Sequence, residues 1–130
     1  MNIGAASASS GVSAKMIRHY ETIGLLPAAA RRENSYRDYG SEDVRELQFI
    51  ARARKLGFSI AEIGALLALW RDKQRPSREV RQVAAKHLAD LEARIEDMQT
   101  MAETLRHLVR SCHGDEQADC AILADLGGEA

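Results

Sequence analysis

The chain has 130 residues, a mass of 14.3 kDa and a formal charge of −1, which fits one domain or a small domain with an appendage. No apolar run approaches the roughly 18 residues needed to span a bilayer, and Met1-Asn2-Ile3-Gly4-Ala5 lacks the basic start and apolar stretch of a secretory signal, so a cytoplasmic, reducing compartment is expected. Residues 1–56 hold nine Lys/Arg against six Asp/Glu, net +3, and the remainder nine against thirteen, net −4, as a polyanion-binding head on a different kind of body would.

Residues 3–10 read as a short Ala/Ser-rich helix ended by Gly11. Ser13 is a natural N-cap for a helix over 14–23, and Gly24 stands at the usual closing position. Two short helices joined by a tight turn make a helix-turn-helix, whose second member can lie in a DNA major groove. That helix carries Lys15, Arg18, His19 and Tyr20 on roughly one face, groups suited to phosphates and base edges. A solvated charged face on a small helical domain explains these residues equally well. Asn34-Ser35 then marks a turn before the alternating Ser35-Tyr36-Arg37-Asp38-Tyr39. A small hairpin bearing Arg31, Arg32 and Arg37 would form a wing along a phosphate backbone. Ser41 is expected to cap a helix over 42–56, with Glu42 and Asp43 at its positive end. Ser59 should cap a helix over 60–70, with Glu62 completing a capping box. Leu47, Ile50, Ile60, Ile63, Leu66 and Leu67 are the expected core.

From Pro76 the pattern changes. Pro76 suits the first turn of a helix, and Ala84, Leu88, Leu91, Ile95, Met98, Ala102, Leu105 and Val109 follow at alternating spacings of four and three. This is a coiled-coil seam. A helix of about 35 residues is roughly 50 Å long, too long for so small a head to cover. A second copy of the chain is the economical partner.

Cys112 and Cys120 are the only thiols, and they bracket His113-Gly114-Asp115-Glu116-Gln117-Ala118-Asp119. Seven intervening residues are too many for the knuckle of a structural zinc site. Two thiolates suit a soft monovalent ion such as Cu(I). A loop disulfide and two unrelated buried cysteines remain alternatives, the disulfide disfavoured in a reducing compartment. No nucleophile with base and orienting group is visible, nor a phosphate loop, so no enzyme is expected.

Three segments carry a specific resemblance: Val12-Ser13-Ala14-Lys15-Met16-Ile17-Arg18-His19-Tyr20-Glu21-Thr22-Ile23-Gly24-Leu25-Leu26, Arg32-Glu33-Asn34-Ser35-Tyr36-Arg37-Asp38-Tyr39 and Leu56-Gly57-Phe58-Ser59-Ile60-Ala61-Glu62-Ile63. They resemble the winged helix-turn-helix head of MerR-family transcription regulators. The stretch Cys112 to Leu123, with its Ala-Asp-Cys-x-Ile-Leu ending, is similar to the metal loop of the family's copper-efflux branch, CueR and HmrR. One departure is Ser35, where members usually place Gly; Ser tolerates positive φ less well, which bears on the wing's turn.

The resemblance implies a mostly α protein: a winged helix-turn-helix head over 1–70 with a small β-hairpin wing, a linker over 71–75, a long antiparallel coiled-coil dimerisation helix over 76–111, and a metal-binding loop with a short helix over 112–130. It implies a homodimer on a near-palindromic promoter operator, held by Lys15, Arg18, His19, Tyr20, Arg31, Arg32, Tyr36, Arg37 and Arg54. It implies one Cu(I) per chain, or Ag(I) or Au(I), at Cys112 and Cys120, with Ser77, Arg81 and Asp115 around it. Relatives that sense divalent ions carry Cys where Ser77 stands, and Ser is a poor ligand for a soft ion. Metal would order the loop and pack Ile122 and Leu123 against the junction of head and dimer helix. The bound form would bend and untwist promoter DNA so that RNA polymerase engages it and copper-export genes are switched on. A thiol redox switch on the same scaffold and a copper buffer without a DNA role are the competing functions.

Overall fold

The structure, a computed structural model, describes residues 1–27, 30–31 and 37–128, and of residues 30, 31 and 37 the backbone alone. It divides into two compact units, Met1–Ala84 and Ala85–Ala130. The division falls inside the long helix, whereas the sequence reading places its boundary at the linker 71–75.

The first unit contains α1 (Ile3–Ser10), α2 (Ala14–Thr22), β1 (Ala30–Arg31), β2 (Arg37–Asp38), α3 (Ser41–Lys55) and α4 (Ile60–Arg71). Local chemistry sets most of these limits. The Asn2 side chain accepts from the Ala5 N–H and caps α1. The Ser13 hydroxyl accepts from the Met16 N–H and caps α2. Ile23 is the C-cap of α2, and Gly24 then takes φ +78°, a left-handed conformation in which a Cβ would be strained. At α4 the Ser59 hydroxyl accepts from the Glu62 N–H while the Glu62 carboxylate accepts from the Ser59 N–H, a full capping box.

The start of α3 corrects the sequence reading. Gly40, not Ser41, is the N-cap, and Ser41 is already helical. The Asp43 carboxylate accepts from the Gly40 N–H at 2.8 Å. An acidic side chain at the third helical position satisfies the orphan amide, so no hydroxyl is needed at the cap.

Helix α3 packs against α1 and α4, and α1 also meets α2. Ile17, Leu26, Tyr39, Leu47, Ile50, Ile63 and Leu67 are the largest fully buried side chains. Each fully buried Leu or Ile contributes about 1.5–3 kcal/mol of transfer free energy. Ile60 is partly buried against this core. Leu66 departs from expectation: it is half-buried, and lines a shallow surface recess with Phe49, Leu56 and Phe58 instead of joining the central cluster. Phe49 stacks on Trp70 with ring centroids 4.7 Å apart, joining α3 to α4. Arg71 clamps the same pair, its Nε and Nη2 donating to the Glu46 carboxylate at 2.7 and 2.9 Å. Because Arg71 is still 42% exposed, solvent screens the clamp, which contributes about 1 kcal/mol.

The strands pair antiparallel, Ala30 opposite Asp38 and Arg31 opposite Arg37. Just beyond them the Tyr39 N–H donates to the Met1 carbonyl at 2.7 Å, and its ring is buried in the core.

Helix α5 runs from Ser77 to Ser111, 35 residues. Its apolar seam is largely bare. Ile95 is 54% exposed and Met98 67%, and Ala84, Leu88, Ala102, Leu105 and Val109 are also exposed, with Leu91 half-buried. Met101, which the four-three spacing passes over, is exposed beside them. A short helix α6 (Ala121–Leu126) closes the second unit. No described helix is long and apolar enough to cross a membrane.

Candidate nucleic-acid interface and metal centre

On α2 the helical period separates packing from solvent. Ile17 and Tyr20, three apart, turn into the core, while Lys15, Arg18 and His19 are exposed. Three groups able to donate to phosphates or base edges therefore project from one short helix of the helix-turn-helix. Tyr20 corrects the sequence reading. It is only 3% exposed and belongs to the core cluster, because the position three after Ile17 falls on the inward face. Its ring packs the head instead of reaching a groove.

Arg54 is exposed in the last turn of α3, next to Arg52 and Lys55. Arg31 and Arg37 stand opposite each other on the paired strands. Arg32, Ser35 and Tyr36 lie outside the described residues. Tyr39 is the residue that sequence reasoning undervalued: its hydroxyl donates to the Glu21 carboxylate on α2, tying the recognition helix to the end of the hairpin. An aromatic at the exit of a short polar strand was the available signal.

In the second unit Cys112 follows the last residue of α5, its N–H still donating to the Leu108 carbonyl at 3.0 Å. Cys120 is the N-cap residue of α6, its carbonyl accepting from the Ala124 N–H at 3.0 Å. The two sulfurs thus belong to the end of one helix and the start of the next. Between them the chain reverses at Gly114, φ +64°, a conformation that favours glycine. The Asp115 carboxylate accepts from the Gln117 N–H at 2.9 Å, so this acid shapes the loop.

These turns bring the two sulfurs to 4.0 Å. Both thiols are free and half-buried. The separation is far longer than the 2.05 Å or so of a disulfide bond. It lies within the span of two metal–sulfur bonds of about 2.3 Å meeting at one ion. The donor pair therefore fits a soft ion. Among the described residues no group of three His, Cys, Asp or Glu is placed to hold a metal. No full capping hydrogen bond reaches the Cys120 sulfur, yet the nearby Leu123 N–H holds this thiol below its ordinary pKa. Burial opposes that pull, and the Ile122 N–H and the Cys112 thiol reinforce it. Ile122 is half-buried, while Leu123, 70% exposed, and Leu126 face solvent. Ser77, the first residue of α5, and Arg81 are exposed members of the other unit.

Comparison with known proteins identifies the scaffold. Residues 1–69 match the family model described as MerR HTH family regulatory protein, and residues 44–108 match the model described as MerR, DNA binding. The chain is 55% identical over 126 residues to heavy metal-dependent transcription regulator 2 of Rhizobium meliloti, covering 97% of this chain and 86% of that one. It is 38% identical over 128 residues to the HTH-type transcriptional regulator CueR of Escherichia coli, covering 98% and 95%. Among solved structures it is similar to the transcription regulator PbrR691 from Ralstonia metallidurans in complex with lead(II), with TM-score 0.86, 30% identity and coverage of 97% and 98%. A helix-turn-helix head with an exposed cationic recognition helix, a long helix with a bare apolar seam and these matches over nearly the whole chain have one conclusion: the protein is a DNA-binding transcription regulator of the MerR family, not an enzyme.

Proposed function

We propose that this regulator senses Cu(I), with Ag(I) and Au(I) as congeners, through one ion per chain at Cys112 and Cys120, and activates copper-efflux genes. The observation that carries the proposal is the pair of free sulfurs 4.0 Å apart with no third candidate donor grouped with them among the described residues. Divalent ions of this size class prefer four donors, whereas a soft monovalent ion is content with two sulfurs. The heavy-metal dependence named for the Rhizobium relative supports a metal effector. The lead(II) held by PbrR691 makes the ion itself the point to test.

The protein acts as a homodimer on promoter DNA. In this reading α5 supplies the dimer seam, Lys15, Arg18 and His19 enter the major groove at each half-site, and Arg31, Arg32, Tyr36, Arg37 and Arg54 grip phosphates. The head occupies residues 1–70 and the dimer helix 76–111, in the cytoplasm. When bound, the ion supplies a positive centre that joins the end of α5 to the start of α6. Ile122 and Leu123, two and three residues after Cys120, are then carried toward the junction of dimer helix and head. The resulting dimer distorts the operator, a deformation of a few kcal/mol, comparable with two sites each coupling about 1–3 kcal/mol. RNA polymerase responds to the altered DNA.

A promoter reporter challenged with a panel of ions tests this. Cu(I) and Ag(I) induce and Zn(II), Cd(II) and Pb(II) do not. Cys112→Ser and Cys120→Ser each abolish induction while operator affinity stays within a few-fold. Induction by Zn(II) in the unaltered protein overturns the ion assignment, and induction by peroxide without metal makes the thiols a redox switch.

A further inference from the structure

Tyr39 stands where the hairpin meets the helix-turn-helix. Its backbone N–H donates to the Met1 carbonyl at 2.7 Å, just ahead of α1. Its ring is buried in the head core, and its hydroxyl donates to the Glu21 carboxylate in the last turn of α2. One residue is thus bonded to the entry of the first helix and to the end of the second.

The place of Glu21 on α2 gives this bond its use. Glu21 comes four residues after Ile17 and three after Arg18, so it lies at the edge of the buried stripe, on the Arg18 side. A helix of nine residues is too short to be stable alone in water, and its direction is set by what packs on it. Ile17 and Tyr20 anchor it along one stripe, about which it can still roll. A hydrogen bond at the stripe's edge opposes that roll on the flank that carries Arg18. Base edges are read only when the donor is held within about 0.5 Å and 10–20° of its place. Phosphate attraction is long-ranged and independent of sequence. Roll of α2 therefore weakens operator reading more than general affinity for DNA.

We propose that Tyr39 and Glu21 are positioning residues for sequence recognition: their hydrogen bond fixes the roll of α2, and with it the preference for operator over random DNA. The inference rests on the reading of α2 as the groove helix. Tyr39, being buried, acts through α2 and not by touching DNA.

Operator and random-sequence duplexes are titrated with the full-length dimer by fluorescence anisotropy at one salt concentration. Tyr39→Phe keeps the ring in the core and removes only the hydroxyl. The loss of one hydrogen bond is expected to weaken operator binding about tenfold, and binding to random DNA less than about twofold. Glu21→Ala is expected to match it, and the double variant to lose no more than either alone, the mark of one shared bond. Glu21→Gln keeps an acceptor for the hydroxyl and is expected to hold operator binding within about threefold of the parent. Equal losses on both duplexes would make the bond merely structural and overturn the proposal. So would an unchanged operator preference in Tyr39→Phe with native circular dichroism, or additive losses in the double variant. If Arg18→Ala keeps the full operator preference, the groove reading of α2 itself fails, and this inference falls with it.

Discussion

The head and the long helix are built from similar proportions of apolar residues and treat them in opposite ways. In the head, Ile17, Leu47, Ile50, Ile63 and Leu67 reach zero exposure within one chain. On α5, Ile95, Met98, Leu105 and Val109 remain more than half exposed. A helix of about 50 Å offers its stripe to a surface that its own chain does not supply. The head is thus a folding unit that needs no partner, while the helix is an interface written into one protomer. The regulation proposed above suits this division: the heads would read DNA, and metal at the Cys112–Cys120 loop, at the end of the interface helix, would shift how two of them are held.

The largest expected effect breaks the comparison at its weaker side. Ile95→Asp sets two carboxylates into one apolar seam, and burying unpaired charge costs several kcal/mol. Analytical ultracentrifugation should find monomer or aggregate, and operator binding should vanish with it, since one half-site grips too few phosphates. A dimer of normal affinity would mean that the wrong face of α5 has been assigned. On the head side, Leu67→Ala removes a fully buried side chain and should cost about 2–5 kcal/mol. Urea unfolding of the head should register it even in the monomeric Ile95→Asp background. Loss only in the dimer would show that the head is not self-sufficient.

Arg18→Ala sharpens the comparison by leaving both units folded. Operator affinity should fall by about 1–3 kcal/mol in a gel-shift titration, with metal stoichiometry still one per chain; a fall in metal uptake would deny the separation of reading from sensing. The smallest effect concerns one proton. The Leu123 N–H favours the Cys120 thiolate, so its pKa is lower folded than unfolded. The stability this confers is present above the unfolded pKa and lost as pH falls through the folded one. In Cys112→Ser, the alkylation midpoint of Cys120 should therefore lie lower in native buffer than in urea. Coincident midpoints would show that the α6 amides do not reach the sulfur.

The family was legible from short segments because they hold local rules. Ser13 and Ser59 cap helices through amides three residues on, Gly24 ends one through its own φ, and the four-three stripe on α5 needs only the helical period. These signals act within a turn or so of chain, and no packing overrode them. Tyr20 and Ser41 escaped for a related reason. Polar chemistry suggested a DNA contact and a cap, while the inward face of α2 and the carboxylate of Asp43 had already decided otherwise.

What the sequence alone determined is the set of helices, the bare seam and the spacing of two thiols. Tertiary structure decided that those thiols stand 4.0 Å apart and that Asp115 is spent on the Gln117 amide. Spacing bounds how near two residues can come. Only the path of the backbone through Gly114, set against the fixed ends of α5 and α6, determines where their sulfurs meet.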